Sequence, residues 1–213
     1  MSLGTPWPVA GPQRIGVFGG AFDPPHNAHV ALAQIALAHL SLDELHVIPT
    51  GQAWHKARAL SDSLNRLAMA RLAFASMAKI VVDDREIHRA GPTYTIDTLE
   101  ALQAENPGAQ LYLIMGADQF AVFRAWHRWP DILQIAIICI ADRPQAGCAA
   151  GRFDDYDQHK SRFLVLPMPL TTLSATQIRQ RLAHHPDSSQ GIGDLVPESV
   201  ERYISVHQLY RTR

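Results

Sequence analysis

Two histidines near the start of the chain, His26 and His29, are the residues best suited to chemistry. They follow an apolar run, the glycine pair Gly19-Gly20 and the prolines Pro24-Pro25, an order typical of a strand that breaks, turns and enters a helix. Residues three apart in a first helical turn share one face, and a helix N-terminus attracts anions through its free N–H groups. The pattern predicts a phosphate site, with Asn27 as the N-cap of the helix.

Further candidates follow other predicted strands. The polar stretch 50–59 carries His55 and Lys56, and a basic loop in that place could clamp a polyphosphate. In a parallel sheet the ligand crevice lies outside the carboxyl ends of the strands, so residues that follow strands can meet there. The other candidates of this kind are Asp118, Arg143 and Ser174.

The sequence also allows a different interpretation of each candidate residue. Two histidines could bind zinc, although no third or fourth ligand stands at local spacing. The hydroxyl group of Ser174 could cap a helix, and Asp23 could cap a turn or contact a ribose. The remaining structural alternatives are a solvated loop for Lys56, a loop cap for Asp118 and core packing for Trp126.

Six apolar runs that alternate with helical patterns predict an α/β fold, with a single doubly wound, mostly parallel sheet and helices at the C-terminal end. A helix with Asp62 as its N-cap is predicted by apolar residues at helical spacing, which are Leu64, Leu67, Ala68, Leu72 and Ala75. The same helical spacing puts Arg66 and Arg71 on other faces. The predicted strands lie near residues 15, 46, 80, 112, 137 and 164, and later helices span 96–105, 120–126, 130–133, 174–182 and 197–210.

The composition is that of an ordinary globular chain. With 213 residues, 47% of them hydrophobic, it fits a single domain over residues 14–213, preceded by a flexible tail over residues 1–13. A balance of 19 basic and 20 acidic residues argues against nucleic-acid binding. Two cysteines, and apolar runs shorter than the roughly 18 residues that span a bilayer, predict a cytoplasmic protein outside the membrane.

Two segments resemble the signatures of the HxGH nucleotidyltransferase superfamily: Gly19 to His29, and Ser174 to Arg179, which follows the pattern S-x-T-x-I-R. Within that superfamily the chain is similar to bacterial nicotinate-nucleotide adenylyltransferases, with further matches at 91–99, 116–126 and 196–210. The resemblance spans roughly residues 14–210 and implies a Rossmann-like nucleotidyltransferase fold. One departure is Ala28, which stands where the signature has glycine.

The resemblance also implies a reaction, in which the 5′-phosphate of nicotinate mononucleotide attacks the α-phosphorus of ATP to give deamido-NAD and pyrophosphate. Mg²⁺ would arrive with the triphosphate and not on a protein ligand set. The expected partners are the two substrates, and a homo-oligomer is left open. The candidate catalytic residues are His26, His29 and Arg179; the candidate phosphate-binding residues are Gly19, Gly20, Phe22, His55, Lys56, Arg143, Ser174 and Thr176; the resemblance points to Thr95, Asp118 and Trp126 for the pyridine nucleotide.

Two other functions are compatible with these residues. The same transfer could use nicotinamide mononucleotide or another phosphorylated acceptor, such as phosphopantetheine. The regions around Tyr94-Thr95 and Trp126 argue against phosphopantetheine, whereas the amidated nucleotide differs by a single carboxylate. A non-catalytic nucleotide-binding module could retain the fold, but the presence of both signatures argues against it.

Overall fold

Six parallel strands form one sheet in the part of the chain that the computed structural model describes, which is residues 11–51, 60–142, 160–169, 173–184 and 192–211. The strands are β1 (Arg14–Gly20), β2 (Glu44–Pro49), β3 (Ile80–Val82), β4 (Gln110–Gly116), β5 (Ala136–Asp142) and β6 (Phe163–Pro167). Their order across the sheet is β3-β2-β1-β4-β5-β6. This arrangement confirms the predicted doubly wound sheet.

Helices connect these strands. Most begin close to where helical spacing predicts, because the apolar runs of the connections repeat with the period of a helix. The described helices are α1 (Asn27–His39), α2 (Ser63–Phe74), α3 (Arg85–His88), α4 (Thr95–Glu105), α5 (Ala117–Phe120), α6 (Trp129–Ile135), α7 (Ala175–His184) and α8 (Glu198–Val206), with 3₁₀ turns at Phe123–Ala125 and Lys160–Arg162. Within the described ranges, no helix is both long and apolar enough to cross a membrane.

The order of the strands changes direction at β1, which pairs with β2 on one side and with β4 on the other. At such a switch point, a crevice opens outside the carboxyl ends of the two neighbouring strands. The loop after β1 leads to His26, and the loop after β4 leads to Asp118. The fold therefore places the two predicted halves of the site beside one crevice.

Buried side chains pack on both faces of the sheet. Because successive residues of a strand point to opposite faces, the residues of β1 divide between two clusters. Phe18 packs with apolar residues of α1 and α2, whereas Ile15 and Val17 pack with those of α4 and α6. The glycine turn at the end of β1 is thus anchored from both sides.

Two predictions about individual side chains were wrong. Arg66 is buried, with 1% of its surface exposed, and Leu64 is 62% exposed. Helical spacing could not reveal this reversal, because Arg66 donates hydrogen bonds to carbonyl groups of other segments. The N-cap of α1 is His26, and Asn27 is the first helical residue, whose side chain donates to the carbonyl of Asp194 at 3.0 Å.

Some element boundaries also differ from the prediction. The helix α3 was missed, because a helix of a single turn shows no periodicity. The predicted helix over 120–126 is divided between α5 and a 3₁₀ turn. The last helix ends at Val206, before a turn with positive φ at Gln208 and Tyr210. The predictions for residues 1–10 and 145–159 lie outside the described residues.

Candidate active site

The two histidines form a stacked pair at the N-terminus of α1. Their ring centroids are 3.7 Å apart, and the ring planes differ by 21°. The backbone N–H of His26 donates to Nδ1 of His29 at 3.1 Å. Because Nδ1 accepts this bond, a neutral His29 carries its proton on Nε2. The local backbone therefore selects the tautomer in which His29 can donate a hydrogen bond through Nε2.

His26 lies deeper than its partner, with 6% of its surface exposed. Burial lowers the pKa of His26 from 6.5 to about 4, so this ring is neutral at pH 7. Its Nδ1 atom is buried and has no hydrogen-bond partner among the residues that the structure describes. An unsatisfied buried polar group costs about 1–3 kcal/mol, so a ligand that bonds to this nitrogen would relieve that cost.

Phe22 supports the histidine pair from below. Its side chain is 1% exposed and packs edge-on against His29, with ring centroids 5.1 Å apart. It also contacts Phe18 and Phe74 at 5.5 and 6.1 Å between centroids. The side chain of this predicted phosphate-binding residue therefore lies in the core and not in the crevice.

The glycine pair leaves the crevice open beside the histidines. A Cβ atom at Gly19 would have no neighbour within 4 Å among the described residues, whereas one at Gly20 would meet the Phe22 ring at 3.2 Å. The backbone N–H of Thr50 donates to the carbonyl of Gly20 at 2.9 Å, which joins the end of β2 to this turn. A side chain at position 19 would thus meet none of the described residues at the carboxyl end of the strand.

Arg179 joins the two predicted signatures. One of its guanidinium nitrogens, Nη1, donates to the carbonyl of Asp23 at 2.6 Å, and Nη2 donates to Oγ1 of Thr176 at 3.1 Å. Arg179 of the second predicted signature is therefore in direct contact with the loop that carries the first. It brings a fixed positive charge to the loop that precedes α1.

Ser174 and Gln177 form reciprocal hydrogen bonds at the start of α7. The Oγ atom of Ser174 accepts from the backbone N–H of Gln177 at 3.3 Å, and the backbone N–H of Ser174 donates to Oε1 of Gln177 at 3.1 Å. This is a capping box. The alternative interpretation of Ser174 as a helix cap is confirmed, and any phosphate contact by this residue would be additional.

The side chains predicted to bind the pyridine nucleotide come from short elements on the β4 side of the crevice. Thr95 is the first residue of α4. Asp118 is exposed in α5, and a Cβ atom on Gly116 would lie only 2.6 Å from its Oδ1, so glycine leaves room for the carboxylate. Trp126 is half-buried, with its ring 5.6 Å from Phe123 in an edge-on contact. Trp126 therefore packs on the core while part of the residue stays exposed.

A ring contact that the sequence did not reveal connects these short elements. The rings of Tyr94 and His127 lie 4.3 Å apart, which links the start of α4 to the residue after Trp126. Below them, the buried carboxylate of Glu86 accepts from the hydroxyl group of Thr98 at 2.8 Å. Burial raises the pKa of Glu86, and the hydrogen bond from Thr98 opposes that shift.

Three predicted site residues, His55, Lys56 and Arg143, lie outside the described residues. The flanks of residues 52–59 are described, and each is bonded to the loop after β1: Thr50 to Gly20, and the backbone N–H of Ser61 to Oδ2 of Asp23 at 3.2 Å. Among described residues, no three His, Cys, Asp or Glu side chains gather as a metal site.

Comparison with known proteins identifies the family. A family model described as cytidylyltransferase-like matches residues 17–181. A relative from Albidiferax ferrireducens, named "Probable nicotinate-nucleotide adenylyltransferase", is 54% identical over 200 residues that cover 94% of this chain and 99% of the relative. The chain belongs to the nicotinate-nucleotide adenylyltransferase family.

Other members of the nicotinate-nucleotide adenylyltransferase family also match this chain over nearly its full length. The Methylibium petroleiphilum relative, which carries the same name, is 39% identical and covers 94% of both chains. Among solved structures, a Plasmodium falciparum nicotinic acid mononucleotide adenylyltransferase complexed with NaAD matches with a TM-score of 0.73 and 19% identity, covering 93% of this chain and 97% of that one. That structural likeness confirms the nucleotidyltransferase fold.

Ala28 is the residue at which this chain differs from the signature, which has glycine there. The residue lies in the first turn of α1, between the two histidines, and is half-buried. Alanine favours helix more strongly than glycine by about 1 kcal/mol. The substitution therefore suits the helical turn, and its methyl group leaves the histidine pair stacked.

Proposed function

We propose that this chain transfers AMP from ATP to the phosphate of nicotinate mononucleotide, forming deamido-NAD and pyrophosphate in the synthesis of NAD. The observation that carries this proposal is the stacked pair of His26 and His29 at the start of α1, joined to the second signature by Arg179. The family of the chain supports the choice of acceptor. So does the P. falciparum structural neighbour, which is described in complex with NaAD.

The chemistry needs positioning and charge stabilisation, without a protein nucleophile. An oxygen of the acceptor phosphate forms a bond to the α-phosphorus of ATP. The bond from that phosphorus to the bridging oxygen breaks, and pyrophosphate leaves with the electron pair. The second pKa of a phosphate monoester is about 6, so the acceptor is mostly a dianion at pH 7 and needs no general base.

The histidines and Arg179 then act on the phosphate charge. His29 presents Nε2–H as a hydrogen-bond donor, and the N-terminus of α1 adds its dipole. Such preorganised donors stabilise a transition state because they are in place before the charge develops. His26 contributes as a neutral ring, which donates a hydrogen bond without adding a second charge beside its partner.

The other roles follow the sequence prediction. Trp126 would stack on the nicotinate ring, with Thr95 and Asp118 near its ribose and carboxylate, and His55, Lys56 and Arg143 would hold the departing pyrophosphate. Mg²⁺ bound to the triphosphate would offset the charge of the leaving group. A cytoplasmic location remains a prediction.

The test is turnover of the purified chain with ATP and either nicotinate or nicotinamide mononucleotide, with dinucleotide and pyrophosphate both measured. We expect a higher kcat/KM with the nicotinate form and loss of turnover when EDTA removes the divalent ions. Preference for the amidated nucleotide would contradict the assigned acceptor. ATP binding without turnover of either acceptor would instead indicate a non-catalytic module.

A further inference from the structure

Arg66 is a buried charge that the signatures do not explain. It lies in α2 with 1% of its surface exposed, and burial lowers the pKa of its guanidinium. Its Nε donates to the carbonyl of Ser61 at 3.0 Å, and its Nη1 donates to the carbonyl of Ala21 at 3.0 Å. Buried charges are weak sources of stability, so these two directed bonds are the more informative feature.

Asp23, two residues after Ala21, is bonded to three distant segments. Its Oδ1 accepts from the hydroxyl group of Tyr210 at 2.7 Å, its Oδ2 accepts from the backbone N–H of Ser61, and its carbonyl accepts from Arg179. The residue is 1% exposed. Its carboxylate is therefore used inside the protein, which favours the structural interpretation of Asp23 over contact with a ribose.

These bonds fix the short loop that separates β1 from the histidine pair. Arg66 holds Ala21, at the start of the loop, and Tyr210 holds Asp23, in its middle. The Nδ1 atom of the His26 ring has no hydrogen-bond partner among the described residues, and the ring itself stacks on that of His29. The position of that ring thus depends on the path of the loop backbone.

We propose that Arg66 and Tyr210 are positioning residues of the transfer reaction, which act through Ala21 and Asp23 to hold the histidine pair against the reacting phosphate. The inference rests on the proposed function. Substitution of Arg66 or Tyr210 should therefore lower kcat and leave the binding of both substrates unchanged, because these residues contact the loop and not the substrates. A displacement of about 1 Å in such a group can lower the rate on the order of 100-fold.

The chain offers a closely matched pair of variants. Tyr210→Phe removes the hydroxyl group that bonds Asp23. Tyr203→Phe removes the hydroxyl group that donates to Oδ1 of Asn65 in α2 at 2.9 Å, a bond that involves no residue of the loop. Both substitutions delete one hydroxyl group between the C-terminal segment and an earlier part of the chain, so a merely structural role predicts similar effects.

We expect Tyr210→Phe to lower kcat by roughly 10- to 100-fold with both KM values within about twofold, and Tyr203→Phe to leave kcat within about twofold. Arg66→Lys should resemble Tyr210→Phe, because a lysine cannot reproduce the two directed bonds of the guanidinium fork. Equal kcat values for the two tyrosine variants, or a change confined to KM, would overturn the proposal.

Hydrogen exchange of the backbone amides over residues 21–29 separates this proposal from the proposed function. Exchange there should become faster in Tyr210→Phe and stay unchanged in Tyr203→Phe, whether or not the chain turns over nicotinate mononucleotide. If the wild-type chain is inactive but the variants show this exchange pattern, the proposed function is wrong, whereas the role of Tyr210 in fixing the loop is still supported. Unchanged exchange in both variants would reject the anchor itself.

Discussion

The two halves of the site are held in different ways. The proposed phosphate half is fixed by groups from distant parts of the chain, such as the buried Arg66 and the half-buried Tyr210. The acceptor half presents exposed or half-buried side chains on short helices, connected by ring contacts such as that of Tyr94 and His127. Group transfer needs fixed donors, whereas recognition of a base tolerates small adjustments, and the anchoring of each half matches its task.

Ion pairs hold α4, the helix whose first residue is the predicted ligand Thr95. Nε of Arg85 in α3 bonds Oδ2 of Asp83 at 2.7 Å, and its other nitrogens reach both carboxylate oxygens of Glu105 at 3.2 and 2.8 Å. Oδ2 of Asp83 also lies 3.1 Å from Nδ1 of His46 in β2. This network ties α3 and α4 to the edge of the sheet.

The strongest test of the phosphate half is His29→Ala. Removing one preorganised donor costs on the order of 100- to 1000-fold in kcat, and we expect a loss of that size with the fold retained. His39→Ala is the matched control, since His39 lies exposed in the last turn of the same helix. Steady-state kinetics and thermal unfolding measure the two quantities. Unchanged turnover in His29→Ala would refute the proposed mechanism.

The burial of His26 should make stability depend on pH. Its pKa is lowered from 6.5 to about 4 in the folded protein, so the unfolded chain binds more protons between these values. The free energy of unfolding should therefore fall by about 3 kcal/mol as pH drops from 6.5 to 4. Urea unfolding across this window measures the slope. His26→Gln should flatten it and His39→Gln should not; equal slopes in all three would show that His26 is not buried as a neutral ring.

Asp83→Asn tests the ion-pair network of the acceptor half. Burial alone would raise the pKa of Asp83, but hydrogen bonds from His46 and Arg85 outweigh it and lower the pKa from 3.8 to about 2. The carboxylate therefore contributes about 2 kcal/mol above pH 3.8, a contribution lost as pH falls through about 2.

Asp83→Asn should lower the free energy of unfolding by about 2 kcal/mol at pH 7. The difference in this free energy between wild type and variant should fall to roughly half by pH 3. Asp84→Asn is the control, because its pair with Arg71 is exposed and worth at most about 1 kcal/mol. Equal losses in the two variants would show that the buried network adds nothing beyond a surface pair.

The smallest effect is expected at the base-recognition surface. Trp126→Ala should raise KM for nicotinate mononucleotide by about tenfold, with KM for ATP nearly unchanged, since ring stacking contributes roughly 1–3 kcal/mol per base. Trp129→Ala removes the other indole that packs on Phe123, at 6.1 Å between centroids. If both variants raise the two KM values alike, Trp126 serves packing alone.

Much of the fold was predictable from the sequence because its determinants are local. Short apolar runs marked all six strands, and the spacing of His26 and His29 indicated that the two rings share one face of α1. The contacts of Arg66 and Tyr210 with the loop were not predictable, because they join residues far apart in the sequence. Arg66 reaches a carbonyl 45 residues away and Tyr210 a carboxylate 187 residues away, and helical periodicity carries no information about either partner.

The bond between Tyr210 and Asp23 has a consequence for how the protein is made. A ribosome synthesises Asp23 early, and Tyr210 follows 187 residues later. At roughly 5–20 residues per second, this interval is about 10–40 s. The first strand and its glycine turn therefore emerge long before their last anchor. The bond that fixes the Asp23 carboxylate can form only after Tyr210 has been synthesised.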